Sequence, residues 1–134
     1  MNLQVGVKVI IRNDNGDVLL LKRTSQFLLP ADSEASWDIP GGRIEPDESL
    51  RDALAREVNE EIGATLQGTP ELLIAQDIFV SSRDLHVIRL TYLHKQSLDS
   101  IVLSDEHSEY KWLSIDELQH ASVEPFLQEA LALI

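Results

Sequence analysis

At 134 residues with 43% hydrophobic side chains, the chain suits one domain around one buried core. Its 23 aspartates and glutamates against 11 lysines and arginines leave a net charge of -12, which repels phosphate backbones and argues against a nucleic-acid polymer as partner. The absence of cysteine excludes disulfides and thiol chemistry, and no signal peptide or apolar run near the ~18 residues of a membrane span is present, so a cytoplasmic enzyme is expected.

Residues 3–12, LQVGVKVIIR, carry valine and isoleucine in partial alternation and read as a strand. The NDNG stretch at 13–16 is a turn signal, and DVLLLKR at 17–23 is the returning strand of a hairpin that ends on Arg23. Residues 24–36 carry Pro30 and read as a loop. Its apolar Phe27, Leu28 and Leu29 either cover the core or line a base or leaving-group pocket. A short strand, WDIP at 37–40, follows, with Trp37 expected in the core.

Residues 41–64, GGRIEPDESLRDALAREVNEEIGA, organise the rest. Ser49 is placed to cap a helix, with Asp52 three residues on in a capping-box arrangement. The interior lacks Gly and Pro, and Gly63 is the residue expected just past the end. Leu50, Leu54, Val58 and Ile62 form an apolar stripe, and Glu57, Glu60 and Glu61 flank it. A solvated acidic face would point away from the stripe and would mix in lysines at i+4. Like charges at i,i+4 cost roughly 0.2–0.5 kcal/mol per pair, and acids in a last turn oppose the helix dipole. Local rules broken together in one place point to a metal site.

Gly42, Glu48, Arg56, Glu57, Val58, Glu60, Glu61 and Gly63 follow the pattern G-x5-E-x7-R-E-V-x-E-E-x-G. The chain therefore resembles the Nudix hydrolases, most of all their MutT-type members. The final position of the box holds Ala64, where a larger aliphatic residue is usual.

Beyond the box, residues 70–80 and 85–94 read as a second strand pair about an SSRD turn. An acidic loop spans 95–108, and 109–113 is a short strand with Trp112. Ser114 caps a one-turn helix with Glu117 at its third position, and 123–133 is a closing amphipathic helix. Trp112 and Phe126 are expected in the core, and His86, His94, His107 and His120 show no ligand spacing. Strands mixed with two substantial helices give an α/β fold. The resemblance implies a Nudix-type α/β/α sandwich with a mixed β-sheet, a single domain over 1–134.

Carboxylates clustered without His or Cys favour a hard cation, Mg2+ or alternatively Mn2+. The resemblance implies hydrolysis of the diphosphate linkage of a nucleoside diphosphate linked to another moiety, a nucleoside triphosphate among the candidates, by water attack at phosphorus. It implies Glu57, Glu60 and Glu61 as metal ligands, with the Gly41 carbonyl beside them. Arg56 would orient the glutamates, and Glu48 would pair with Arg56 rather than hold metal. Arg23 is either a solvated strand-end arginine or, as the resemblance implies, a contact to substrate phosphates. Glu106, six residues before Trp112, is the general base by the same resemblance; Asp105, Glu109 and a box glutamate are rivals, and a solvated loop is the plain alternative.

The region 77–82 lacks the proline of ADP-ribose-cleaving members and the tyrosine of dinucleoside-polyphosphate members. Val123 stands where readers of oxidised guanine place an asparagine before Glu-Pro. The expected partner is a small nucleotide, with no membrane, and the protein a monomer or homodimer. A non-catalytic ligand-binding module is the alternative, and an isoprenoid diphosphate isomerase a more distant one, since its catalytic cysteine is missing.

Overall fold

The computed structural model describes residues 1–24 and 37–134; Phe27, Leu28 and Leu29 lie outside them. The strands are β1 (Asn2–Arg12), β2 (Val18–Arg23), β3 (Trp37–Asp38), β4 (Gly41–Arg43), β5 (Glu71–Val80), β6 (Leu85–Lys95) and β7 (His107–Leu113). The helices are α1 (Leu50–Ile62), α2 (Ile115–Leu118) and α3 (Pro125–Leu131). Together the strands form one mixed sheet in the order β3-β2-β1-β6-β5, with β4 also paired to β1 and β7 to β2.

Along one edge β1 runs parallel to β6 over its whole length, from Asn2 opposite Leu85 to Arg12 opposite Lys95. The expected hairpin closes at its turn, where Gly16 N–H donates to the Asn13 carbonyl at 3.0 Å and Gly16 adopts φ 82°. It then opens, because the β1–β2 ladder is held at Arg12 opposite Val18 while β2 pairs with β7 and β3. The vacated edge of β1 takes β4, with Val7 opposite Gly42 and Lys8 opposite Gly41. That exchange of neighbours brings the glycine loop onto the central strand.

Alternation along β1 and β2 builds the two faces. Val7, Val9 and Ile11 with Leu19 and Leu21 pack onto Ala53, Leu54, Val58 and Ile62 of α1. Ile10, Val18 and Leu20 pack the other way, onto Ile39, Leu118 of α2, and Val123, Leu127 and Ala130. The sheet is therefore covered by helices on both sides, an α/β/α sandwich.

Ser49 Oγ accepts from the Asp52 N–H at 3.1 Å, and Gly63 closes α1 in the left-handed conformation. Among the described residues a full capping box forms at α2 alone, where Ser114 and Glu117 exchange both bonds. At α1 the side chain three residues on is aspartate, one methylene shorter than that glutamate. Leu50, counted in the apolar stripe, is 37% exposed and lines a surface cavity with Leu54, Leu66 and Tyr92.

The closing helix is shorter than the 123–133 expected: Glu124 caps it, Pro125 takes its first position, and Val123 bridges to Trp37. Strand β7 begins at His107 rather than Glu109, because its ladder to β2 extends to Arg23. Trp37 and Trp112 pack against the core as expected, with Lys111 Nζ 4.0 Å above the Trp37 ring. Phe126 joins neither core cluster and lines a cavity instead. No helix among the described residues is long and apolar enough to cross a membrane.

Candidate active site

The site begins where α1 meets the glycine loop. A Cβ on Gly41, at φ 145°, would collide with the Val7 carbonyl and stand 2.6 Å from Lys8 Cα. One on Gly42 would stand 2.5 Å from the Glu57 carboxyl carbon. Bare backbone at both positions lets the helix carboxylates lie directly on the loop. Glu61 Oε2 accepts the Gly41 N–H at 2.9 Å, so that loop and helix are joined through the box itself.

Arg56 organises the outer wall. Its Nε and Nη2 grip Glu48 at 2.6 and 3.0 Å, Nη1 reaches Glu57 at 3.0 Å and Glu60 at 3.3 Å, and Nη2 also donates to the Arg43 carbonyl at 3.2 Å. The guanidinium beside Glu48 holds that carboxyl below its ordinary range. Glu48 is thus a structural partner of Arg56, as expected.

The box carboxylates differ in exposure. Glu60 is exposed, Glu57 half-buried and Glu61 buried at 4%. Burial pushes Glu61 up to about 7, with Lys8 and the Gly41 N–H opposing and Glu57 and Asp38 adding to the rise. Burial likewise pushes Glu57 up against Arg56, helped by Glu60 and Glu106. Buried acids repelling one another in this way are relieved by a cation.

Glu106 reaches them because its loop is stitched to the end of α1. The last carbonyls of a helix lack partners within it, and here Glu61 and Ile62 carbonyls accept from Ser104 N–H at 3.1 Å and Val102 N–H at 3.0 Å. Thr24 N–H holds the Glu106 carbonyl at 2.9 Å from the other side. As a result one donor atom each from Glu61, Glu106 and His107 lies within 4.8 Å of the others. Of the rivals, Glu109 pairs with Lys22 at 3.2 Å on the exposed side and Asp105 is outside the cluster, while the box glutamate Glu61 is within it.

His107 was not foreseen. It is 7% exposed, and its Nδ1 is buried without a partner. Burial, with Lys8 and Arg23 nearby, lowers its pKa to about 4, so the ring is neutral at pH 7. The other histidines match the expectation of strand or surface residues: His86 stacks on Phe79, His94 contacts Gln96 at 3.2 Å, and His120 is exposed. The available hint was position, next to Glu106 at the first residue of a strand; the long separation from the box concealed it.

Across from the carboxylates, Asp38 is buried between Lys8, at 2.9 Å, and Arg23. Burial alone would raise its pKa, but Lys8, Arg23 and Arg89 overcome it and hold the carboxyl far below the usual range. Arg23 is therefore no freely solvated strand end. A cleft of about 570 Å³ is lined by Lys8, Arg23, Arg43, Arg83 and Arg89 against Glu57 and Glu106, with Gly41 and Gly42 in its wall. Nearly half of the chain's 11 cationic side chains thus converge on one cleft of a strongly acidic protein.

Arg23 and Arg89 also line an adjoining cavity of about 270 Å³ whose walls are Trp37, Ile78, Phe79, Pro125 and Phe126. Arg89 Nη1 pairs with Glu124 at 2.7 Å there, while Glu124 caps α3 through the Phe126 and Leu127 N–H groups.

The NUDIX domain family model matches residues 2–134. CTP pyrophosphohydrolase of Escherichia coli (strain K12) is 35% identical over 112 residues, covering 83% of this chain and 76% of that protein. Nucleoside triphosphatase NudI of Escherichia coli O17:K52:H18 is 25% identical over 132 residues, 92% of this chain and 91% of that one. The crystal structure of a MutT protein from Methanosarcina mazei Go1 superposes with a TM-score of 0.81 at 30% identity, over 97% of this chain and 91% of its own. With the box geometry, the sandwich and these matches together, the chain belongs to the Nudix family and is a pyrophosphohydrolase acting on phosphoric anhydrides.

Proposed function

We propose that residues 1–134 form a single catalytic domain that hydrolyses a nucleoside triphosphate, or another nucleoside diphosphate derivative, with Mg2+ or Mn2+ as cofactor. The observation that carries this reading is the cleft, lined by the box carboxylate Glu57 and by Glu106 together with Lys8, Arg23, Arg43, Arg83 and Arg89. Such a pairing matches a polyphosphate bridged by a cation. The names of the relatives, a CTP pyrophosphohydrolase and a nucleoside triphosphatase, support a triphosphate.

The residues fit a divalent cation on chemical grounds. Oxygen donors of Glu57 and Glu61 lie against bare glycine backbone, and Glu61 is raised to about 7 by burial. Glu57, Glu60, Glu61 and the Gly41 carbonyl are the proposed ligands. When bound, the ion would neutralise phosphate charge and acidify a water.

Arg56 is a positioning residue, fixing Glu57 and Glu60 while anchored on Glu48. Arg23, steadied by Asp38, donates to a phosphate oxygen. Glu106 takes the proton as the water oxygen bonds to phosphorus; the bridging P–O bond breaks and its electron pair leaves with the departing phosphate. From a triphosphate cut next to the nucleoside phosphate, the products are a nucleoside monophosphate and pyrophosphate. The aromatic cavity beside Arg23 is suited to a base, with Phe79 and Phe126 for its faces and Arg89 and Glu124 for its polar edge.

A panel of NTPs, dNTPs, nucleotide sugars and dinucleotides with Mg2+ tests this reading, with products resolved by chromatography. Monophosphate and pyrophosphate from at least one triphosphate are expected. Tight binding without turnover of any member would instead make the chain a ligand-binding module.

A further inference from the structure

We propose that His107 is a nitrogen ligand of the cation held by Glu61, and that this ring inclines the site toward Mn2+ or Co2+ over Mg2+. The inference rests on the cation-binding reading above and departs from it in the donor set, which there is all oxygen.

The geometry points this way for three reasons. Donor atoms of Glu61, Glu106 and His107 all lie within 4.8 Å of one another. Ligands across one first-row ion at roughly 2.1 Å stand about 4.2 Å apart, so small side-chain rotations let one ion bridge Glu61 and His107. Glu106 then stays close enough for the base role. Second, His107 is more than nine-tenths buried and its Nδ1 has no hydrogen-bond partner. A buried polar atom without a partner is rare in folded chains and calls for a ligand or an ordered water. Third, the position is fixed: β7 pairs His107 with Arg23, and Ser104 and Thr24 pin the preceding loop to α1 and β2.

The chemistry follows from donor softness. Imidazole binds Mn2+ weakly, Co2+ and Ni2+ better, and contributes little to Mg2+, which prefers oxygen. A site of glutamates with one ring nitrogen still accepts Mg2+ through its oxygens and discriminates among transition ions.

Electron spin-echo envelope modulation on the Mn2+-loaded protein gives a direct reading. Coupling from a coordinated 14N is expected in the wild type and absent in His107→Gln. Calorimetric titration should show Mn2+ and Co2+ affinity falling roughly 10-fold or more in the variant, with Mg2+ affinity changed much less. Mn2+ bound without nitrogen coupling in the wild type overturns the inference and leaves the carboxylate site standing. Failure to bind any divalent cation overturns both. Should His107→Gln not fold, wild type labelled with 15N only at histidine substitutes, since the coupling of a histidine ligand then changes to that of 15N while that of a backbone nitrogen does not.

Discussion

Arg56 holds Glu48 by both arms of its guanidinium, Nε to Oε2 at 2.6 Å and Nη2 to Oε1 at 3.0 Å, while its remaining nitrogen reaches Glu57. A lysine has one point charge and cannot make that fork. Arg56→Lys should therefore free Glu57 and Glu60 without unfolding α1. Apparent metal affinity or activity is expected to fall roughly 10–100-fold, with nucleotide KM at saturating metal little changed. An unaltered metal dependence of the rate would show that the fork does not position the box.

Removing one carboxylate of the box should abolish most turnover. Glu60→Gln and Glu61→Gln are expected to lower kcat by orders of magnitude, and excess EDTA to do the same in the wild type. Because burial disfavours the charge on Glu61, metal-free Glu61→Gln should melt no lower than the wild type at pH 8, where the native residue is ionised. Near-normal turnover in both variants contradicts the assignment.

Glu106→Gln separates base from ligand. General-base help is worth roughly 10²–10⁴-fold, so kcat should fall within that range while metal affinity changes far less than in Glu61→Gln. Higher pH should restore part of the rate as hydroxide replaces the activated water. If Glu106→Gln is silent and Glu109→Gln shows this pattern, the base lies elsewhere.

Acid should find the protein through Asp38. Its folded pKa lies far below the ordinary carboxylate value, so its contribution is complete above that value and fades as pH falls below about 4. Asp38→Asn removes the carboxylate partner of buried Lys8 and leaves it the Ile39 carbonyl at 3.3 Å, at a cost of roughly 3–5 kcal/mol near neutrality. The gap between the urea midpoints of the two proteins should narrow steadily as pH falls from about 4 to about 2. A constant gap over that interval counts against the pairing.

Local signals explain what was legible beforehand. The limits of α1 follow from Ser49, Gly63 and four-residue periodicity, all within one segment, and the structure reproduces them. The proximity of Glu106 to the box depends on carbonyls of α1 accepting from loop amides, which no window of sequence displays; family resemblance, not periodicity, pointed to it. His107 had neither aid, and its burial comes from strand pairing with β2. The opening of the hairpin was hidden for the same reason: β1 has a turn-encoded neighbour in β2 and a distant competitor in β4, and the competitor takes Gly6, Val7 and Lys8. Phe126 obeys helix periodicity but sits at the rim, where the same apolar residue lines a cavity.

The parallel ladder between β1 and β6 joins segments from opposite halves of the chain, and β4 must then close on the same strand. Pairings of this span form slowly and late, after the loop-closure entropy has been met. Lys8, Gly41, Glu61 and His107 come from segments far apart in the sequence, so they meet only as these pairings form. A cation that needs donors from all of these segments would find them together only in the finished molecule and would favour it by mass action, so added divalent ion should raise the melting temperature.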